Sequence, residues 1–156
     1  MPNWCLNNVT INHDDPAKLN ELLEAYKRGE FMEHFLPTPK DENGELDKDW
    51  HDWRCDNWGT KWDVGGEDEF VDRRDHNTVV LSFDSAWAPP IMFYEFMKRK
   101  HGFDIRASYF EPGMAFCGEW IDGMDNYYDD GDWHDFPDHL IEEYNMYEFF
   151  EEDEVA

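Results

Sequence analysis

Two tryptophans, an asparagine, a threonine and a lysine crowd into the eight residues Asp56-Asn57-Trp58-Gly59-Thr60-Lys61-Trp62-Asp63. Two other segments echo them, Met1-Pro2-Asn3-Trp4-Cys5-Leu6-Asn7 and Ala86-Trp87-Ala88-Pro89-Pro90. Indole rings are costly to leave in water and their N–H groups need partners when buried, so repeated Trp-polar clusters point to one shared core or one recognition surface. Asn3, Asn7, Asn57, Thr60, Lys61, Trp62, Asp63, Trp87 and Glu111 accordingly have two readings. They line a pocket for a small planar ligand such as a signalling nucleotide, or they form a hydrogen-bonded structural core in which Lys61 neutralises Asp63 or Glu111.

Catalysis asks for more than such residues supply. A nucleophile needs a tuned base beside it, and neither Cys5 with a histidine nor Lys61 with Glu111 has a spacing that argues for one. On a strand, Cys5 reads as a small buried apolar residue. The seven histidines show no HExxH or paired-Cys pattern, so zinc chemistry is not expected. The run Asp125 to Asp132 suggests calcium, but setting Gly131 at the invariant loop glycine puts Tyr128 at the third ligand position and Pro137 at the twelfth, where a carboxylate is required. The expectation is a non-enzymatic protein without metal or cofactor.

The third chemical feature is acidity. Arg106 is the last Lys or Arg, and 16 carboxylates follow from Glu111 onward. They are interleaved with Tyr127, Tyr128, Trp133, Phe136, Tyr144, Tyr147, Phe149 and Phe150. Duplex DNA carries about one charge per 1.7 Å, so an ordered acidic face can collect the Lys and Arg contacts meant for nucleic acid. Asp129, Asp130, Asp132, Asp135, Asp138, Glu142, Glu143 and Glu148 are the residues expected to meet such a basic partner. The alternative is a solvated helix face that keeps the protein soluble.

Composition agrees with these readings. A formal charge of −25, from 38 acids against 13 Lys and Arg, argues against direct binding to nucleic acid or an anionic membrane and in favour of a basic partner. Aromatic residues at 17% are too many for an unfolded acidic chain. The 156 residues suit one domain with an extension. No apolar run approaches the roughly 18 residues of a membrane span, and no basic-then-apolar leader precedes the first strand, so a cytoplasmic location is expected. Cys5, Cys55 and Cys117, odd in number and far apart, fit reduced thiols.

The elements that must position these residues follow from periodicity. Trp4 to Asn12 alternates as a strand with Cys5, Asn7, Val9 and Ile11 on one face. Asp15-Pro16 opens a helix carrying Leu19, Leu22, Leu23 and Tyr26, stopped by Gly29. Phe31 to Pro39 reads as a short extended piece, residues 40–49 as an exposed loop, and Asp47 to Asn57 as a short helix. Glu69 to Arg73 and Thr78 to Asp84 pair across His76-Asn77. Pro89-Pro90 starts a second helix that ends near Lys100, and Phe103 to Phe110 and Ala115 to Ile121 are strands. Leu140, Tyr144 and Tyr147 place one amphipathic helix over about 137–150, with a frayed Glu151-Glu152-Asp153-Glu154 tail. The order is β-α-β-β-α-β plus a strand: an α+β chain of ferredoxin-like, split βαβ type, its antiparallel sheet covered by two helices. Residues 1–123 form that domain, with an inserted loop and short helix at about 40–58, and 124–156 an acidic, aromatic-rich C-terminal helical extension.

The chain also resembles the YubB-type family of phage and plasmid proteins in Met1-Pro2-Asn3-Trp4-Cys5-x-Asn7, Pro37-x-Pro39, Asn57 to Asp63, Trp87-x-Pro89-Pro90 and Tyr109-x-Glu111-x-Gly113-x-x-Phe116-x-Gly118. The resemblance spans most of residues 1 to 123 and implies a ferredoxin-like N-terminal domain and an origin on a mobile element. It does not cover the acidic segment. Together these readings lead to the expectation of a mobile-element protein in a bacterial host that blocks a basic nucleic-acid-binding or antiviral-defence factor, with DNA mimicry as the means. The ligand-binding sponge is the alternative.

Overall fold

Alternation of apolar and polar residues dictates the centre of the molecule. Trp4–Asn12 (β1) buries Cys5, Asn7, Val9 and Ile11 in turn, and Thr78–Ala86 (β3) and Asp104–Glu111 (β4) flank it antiparallel in the registers Val9↔Leu81 and Val9↔Ala107. The computed structural model describes residues 2–129 and 131–155, with side chains through Phe150. Phe70–Arg73 (β2) pairs outside β3, while Phe116–Ile121 (β5) and Met124–Tyr128 (β6) extend the sheet beyond β4. The result is an α+β chain built on a six-stranded antiparallel open sheet in the order β2-β3-β1-β4-β5-β6. Its two outer strands differ in origin: β2 has four residues, and β6 leaves all five of its side chains exposed.

Pro16–Lys27 (α1) and Ile91–His101 (α3) cover one face. Asp15 caps α1 by accepting the Ala17 amide at 3.0 Å, with Pro16 at the first helical position. Gly102, at φ 70, closes α3 in the left-handed conformation that glycine adopts without penalty. Leu19, Leu22 and Tyr26 of α1 and Phe93, Tyr94 and Met97 of α3 pack on Val9, Ile11, Val79, Leu81 and Ile105. Trp50–Asn57 (α2) follows a loop spanned by the Lys40↔Leu46 bridge and buries none of its residues fully.

The opposite sheet face is covered too, though only at one end. Leu6, Phe110 and Cys117 fall out of phase with the first core, and they pack against Trp133, Phe136, Leu140, Ile141, Tyr144 and Met146. These come from a 3-10 turn at Trp133–Asp135 and the helices Asp138–Glu143 (α4) and Met146–Val155 (α5).

Four expectations change. Residues 31–36 form successive turns, with His34 N donating to Glu30 O and Leu36 N to Met32 O, rather than an extended piece. The helix expected over about 137–150 is two helices, broken at Asn145, which sits at φ 47 where its short polar side chain is tolerated. The backbone of α5 runs on to Val155 through the segment expected to fray. The boundary drawn at 123/124 falls inside a hairpin: Asp122 and Gly123, both at positive φ, turn β5 directly into β6.

Candidate functional site

The three tryptophan-bearing segments meet at one end of the sheet. Trp4 and Trp62 lie 6.0 Å apart between ring centroids, the Trp87 amide donates to Asn3 O at 2.8 Å, and the Thr60 hydroxyl donates to Ala86 O at 2.8 Å. Trp87 is held at φ 67, costly for a residue with a Cβ and sustained here by the contacts on either side. Gly59 brings the loop against α3: a Cβ there would approach Pro89 O to 3.1 Å. Trp58 is fully buried beneath the loop and donates its indole N–H to Leu36 O at 2.9 Å.

The polar residues of this end are largely spent on the chain's own backbone. Asp63 accepts the Met32 and Val64 amides on Oδ1 and the Glu33 amide on Oδ2, all at 2.8 Å. Burial raises its carboxyl to about 6 in spite of those donors. Glu111, with no exposed surface, accepts the Gly113 amide at 2.6 Å and the Met114 amide at 2.8 Å. A side chain at Gly113 would crowd both Glu111 Oε1 and the Asn3 amide. Asn7 donates to Cys5 O, Phe83 O and Ser85 Oγ, and Asn57 to Trp53 O. Burial, and behind it the Glu111 charge, pushes the Cys5 thiol far above its ordinary range, which keeps it protonated and poorly nucleophilic.

Lys61 neutralises neither Asp63 nor Glu111, contrary to one expectation. Its Nζ lies 4.4 Å over the Trp62 ring, a cation–π contact. Three indoles remain open to solvent here, Trp4 at 41%, Trp62 at 40% and Trp87 at 46%, so the cluster is a surface patch above a bonded interior. The nine residues do not enclose a single cavity among the described pockets. Asp63 borders one with Lys40 and Arg54, Asn57 another with Phe96 and Arg99, and Asn7 a third.

The acidic segment has the reverse arrangement. Trp133, Phe136 and Tyr144 are buried while Tyr127, Tyr128, Tyr147 and Phe149 stay exposed: Trp133 stacks on Phe150 at 5.2 Å, and Phe110 contacts Tyr144, Phe149 and Phe150 at 5.3 to 5.8 Å. Asp129, Asp132, Asp135, Asp138, Glu142 and Glu148 are exposed on the outside of the same elements. Asp130 lies outside the described residues. Asp132 accepts the His134 amide at 3.0 Å, and that bond holds its carboxyl below the usual range. Glu143, also exposed, bonds back to the sheet: it accepts from the Ser108 hydroxyl and from Asn8 Nδ2 at 3.2 Å, while Tyr144 and Ser108 share a 2.8 Å hydroxyl contact. Among the described residues no three His, Cys, Asp or Glu are placed to hold a metal ion, and no helix is long and apolar enough to cross a membrane.

Between the uncovered part of this sheet face and α5 runs an open groove of about 450 Å³. Leu6 and Phe149 supply apolar wall, and Glu69, Asp84, Glu143 and Glu148 supply carboxylates, with no Lys or Arg in the lining. Asp84 and Glu69 were missed in the sequence. The signal was available in strand parity, which sets Asn8, Ser82, Asp84 and Ser108 on the face opposite the main core.

No family model matches the chain, and no curated protein does. A crystal structure of a protein api92 from Yersinia pseudotuberculosis, of family model DUF1281, is similar to it at 11% identity and TM-score 0.49, over 85% of this chain and 99% of that one. That likeness is too slight to carry an argument.

Proposed function

We propose that this is a non-enzymatic binding protein that occupies a basic partner, a nucleic-acid-binding or defence factor of a bacterial host, by offering it DNA-like acidity. One observation carries the reading. Asp129, Asp132, Asp135, Asp138, Glu142 and Glu148 stand exposed along a segment that Trp133, Phe136, Leu140, Ile141, Tyr144 and Met146 anchor against the sheet, so the charges are held by a packed frame. Fixed charges forfeit less entropy on binding than charges on a loose tail, and buried anchors beneath them preserve their spacing. On this reading β1 to β4 with α1 and α3 form a ferredoxin-like unit, supported by the strand order β2-β3-β1-β4, and residues from Asp129 onward form the acidic helical extension. The mobile-element origin rests on the Trp-bearing segments that resemble YubB-type proteins.

The test is a salt titration of binding to a basic host nuclease, with duplex DNA as competitor. Affinity should fall steeply as ionic strength rises and the Debye length shrinks from about 10 Å at 0.1 M to about 3 Å at 1 M, and DNA should displace the protein. Binding indifferent to salt and to DNA overturns the reading.

The exposed Trp4, Trp62 and Trp87 with Lys61 support a second reading, a platform that stacks a planar ligand such as a nucleotide. A nucleotide-dependent rise in Tm that is lost in Trp62→Ala would favour it. Its absence across all common nucleotides rejects it.

A further inference from the structure

Within the acidic surface, the groove between the sheet and α5 has a property the convex helix face lacks. Its carboxylates share an apolar wall, and Glu69, Asp84 and Glu148 have no side-chain hydrogen bond or ion pair among the described residues. Three unneutralised carboxylates bordering one groove repel each other, and a cation seated among them relieves that repulsion. Burial already holds the Asp84 carboxyl above its ordinary range, with no positive group of the chain to offset it.

We infer that this groove is the seat for an arginine-bearing extended segment of the basic partner, its aliphatic stem lying on Leu6 and Phe149 and its guanidinium shared between Asp84 and Glu148. The inference rests on the proposed function and gives it a location. Charge complementarity selects the sign of the occupant. The mixed lining selects a side chain with an apolar stem and a charged tip over a bare ion. Arginine fits better than lysine because its planar fork donates to two carboxylates at once and its weakly hydrated face tolerates a phenyl ring. The groove is open, so a continuing polypeptide can enter and leave without crossing the walls. Glu143 stays with Asn8 and Ser108 and fixes the helix end that borders the groove.

Fluorescence anisotropy with a labelled Gly-Arg-Arg-Arg-Gly amide peptide, and in parallel with protamine, tests this on the full chain. Asp84→Asn with Glu148→Gln removes two groove charges, and Glu24→Gln with Glu42→Gln removes two exposed charges remote from both the groove and the acidic segment. The groove pair should weaken peptide binding by about tenfold or more and the remote pair by less than about twofold. Both should leave Tm within about 2 °C of the parent, since neither Asp84 nor Glu148 holds a partner in the fold. Equal weakening by both pairs overturns the groove and leaves the wider reading standing, because charge is then read diffusely. Spermine displacing the peptide at matching affinity also overturns it, reassigning the groove to a small polyamine. If the peptide fails to bind while protamine binds in a salt-dependent way, the groove falls alone, and if neither binds, both inferences fall.

Discussion

The tryptophan end and the acidic end use the same ingredients, aromatic rings and polar side chains, in opposite orders. At the first, Thr60, Asp63 and Glu111 bond to the chain's own backbone and the rings of Trp4, Trp62 and Trp87 face outward. At the second, Trp133, Phe136 and Tyr144 are buried and the carboxylates face outward. A buried polar group that is fully bonded has nothing left to offer a ligand, whereas an exposed carboxylate on a packed helix keeps its whole field available. The comparison therefore assigns stability to the polar groups of one region and, under the proposed function, recognition to those of the other.

The largest effects break the comparison at its two cores. Trp58→Ala should cost about 3–5 kcal/mol and lower Tm globally, because it removes a fully buried indole and strands the Leu36 carbonyl. Leu140→Ala should cost about 2–5 kcal/mol. In hydrogen exchange its damage should centre on α4 and α5, leaving β1 protected and binding to a basic partner impaired. Equal loss of protection in β1 and α4 would mean that the two regions unfold as one and that the contrast between them is not energetic.

Smaller effects sharpen it. Glu111→Gln should cost about 1–3 kcal/mol, since a single amide oxygen cannot replace a carboxylate that holds two backbone amides, and it should leave binding of a basic partner unchanged. Asp63 gives a pH signature. Its folded carboxyl is raised from 3.8 to about 6, so its contribution is fully present below about pH 4 and is lost as pH rises through 6. Asp63→Asn has no such dependence, and the variant should gain on the parent by up to about 3 kcal/mol between pH 4 and 7 in urea unfolding. A constant gap between the two across that range would show that the burial of Asp63 is offset by its three amide donors. The smallest effect is expected at the helix break. Asn145→Gly should stabilise by a few tenths of a kcal/mol, and Asn145→Ala should destabilise by about 1 kcal/mol through its left-handed backbone, read as shifts in urea midpoint.

Much of this was legible in the sequence where one physical signal dominated. Val9, Ile11, Val79, Leu81, Ile105 and Ala107 alternate strictly because one sheet face is covered, and Pro16, Gly29, Pro90 and Gly102 punctuate the helices by removing or permitting particular backbone angles. Strand β6 was not legible: Met124, Asp125, Asn126, Tyr127 and Tyr128 are all exposed, so no burial pattern marks them, and only the Asp122-Gly123 turn announces the hairpin. The turns at 31–36 depend on Asp63, some thirty residues away, which ties down the Met32 and Glu33 amides. Asn145 reads as one more polar position on a helix until its φ is known. The outward acids could be named from charge alone, but the bonding of Glu143 to the sheet needed the opposing Asn8 and Ser108, and the groove needed Asp84 from a strand sixty residues before α5.

The outer strands of the sheet carry one more consequence. An unpaired strand offers a row of amides and carbonyls on which a sister chain can crystallise into fibre, and the hazard grows with length and greasiness. Here one flank is only four residues long and includes Asp72 and Arg73, and the other carries Asp125 and Asn126 on a ribbon wet on both sides. Lateral zippering between copies is thereby discouraged at both margins, and the chain can accumulate without templating its own precipitation.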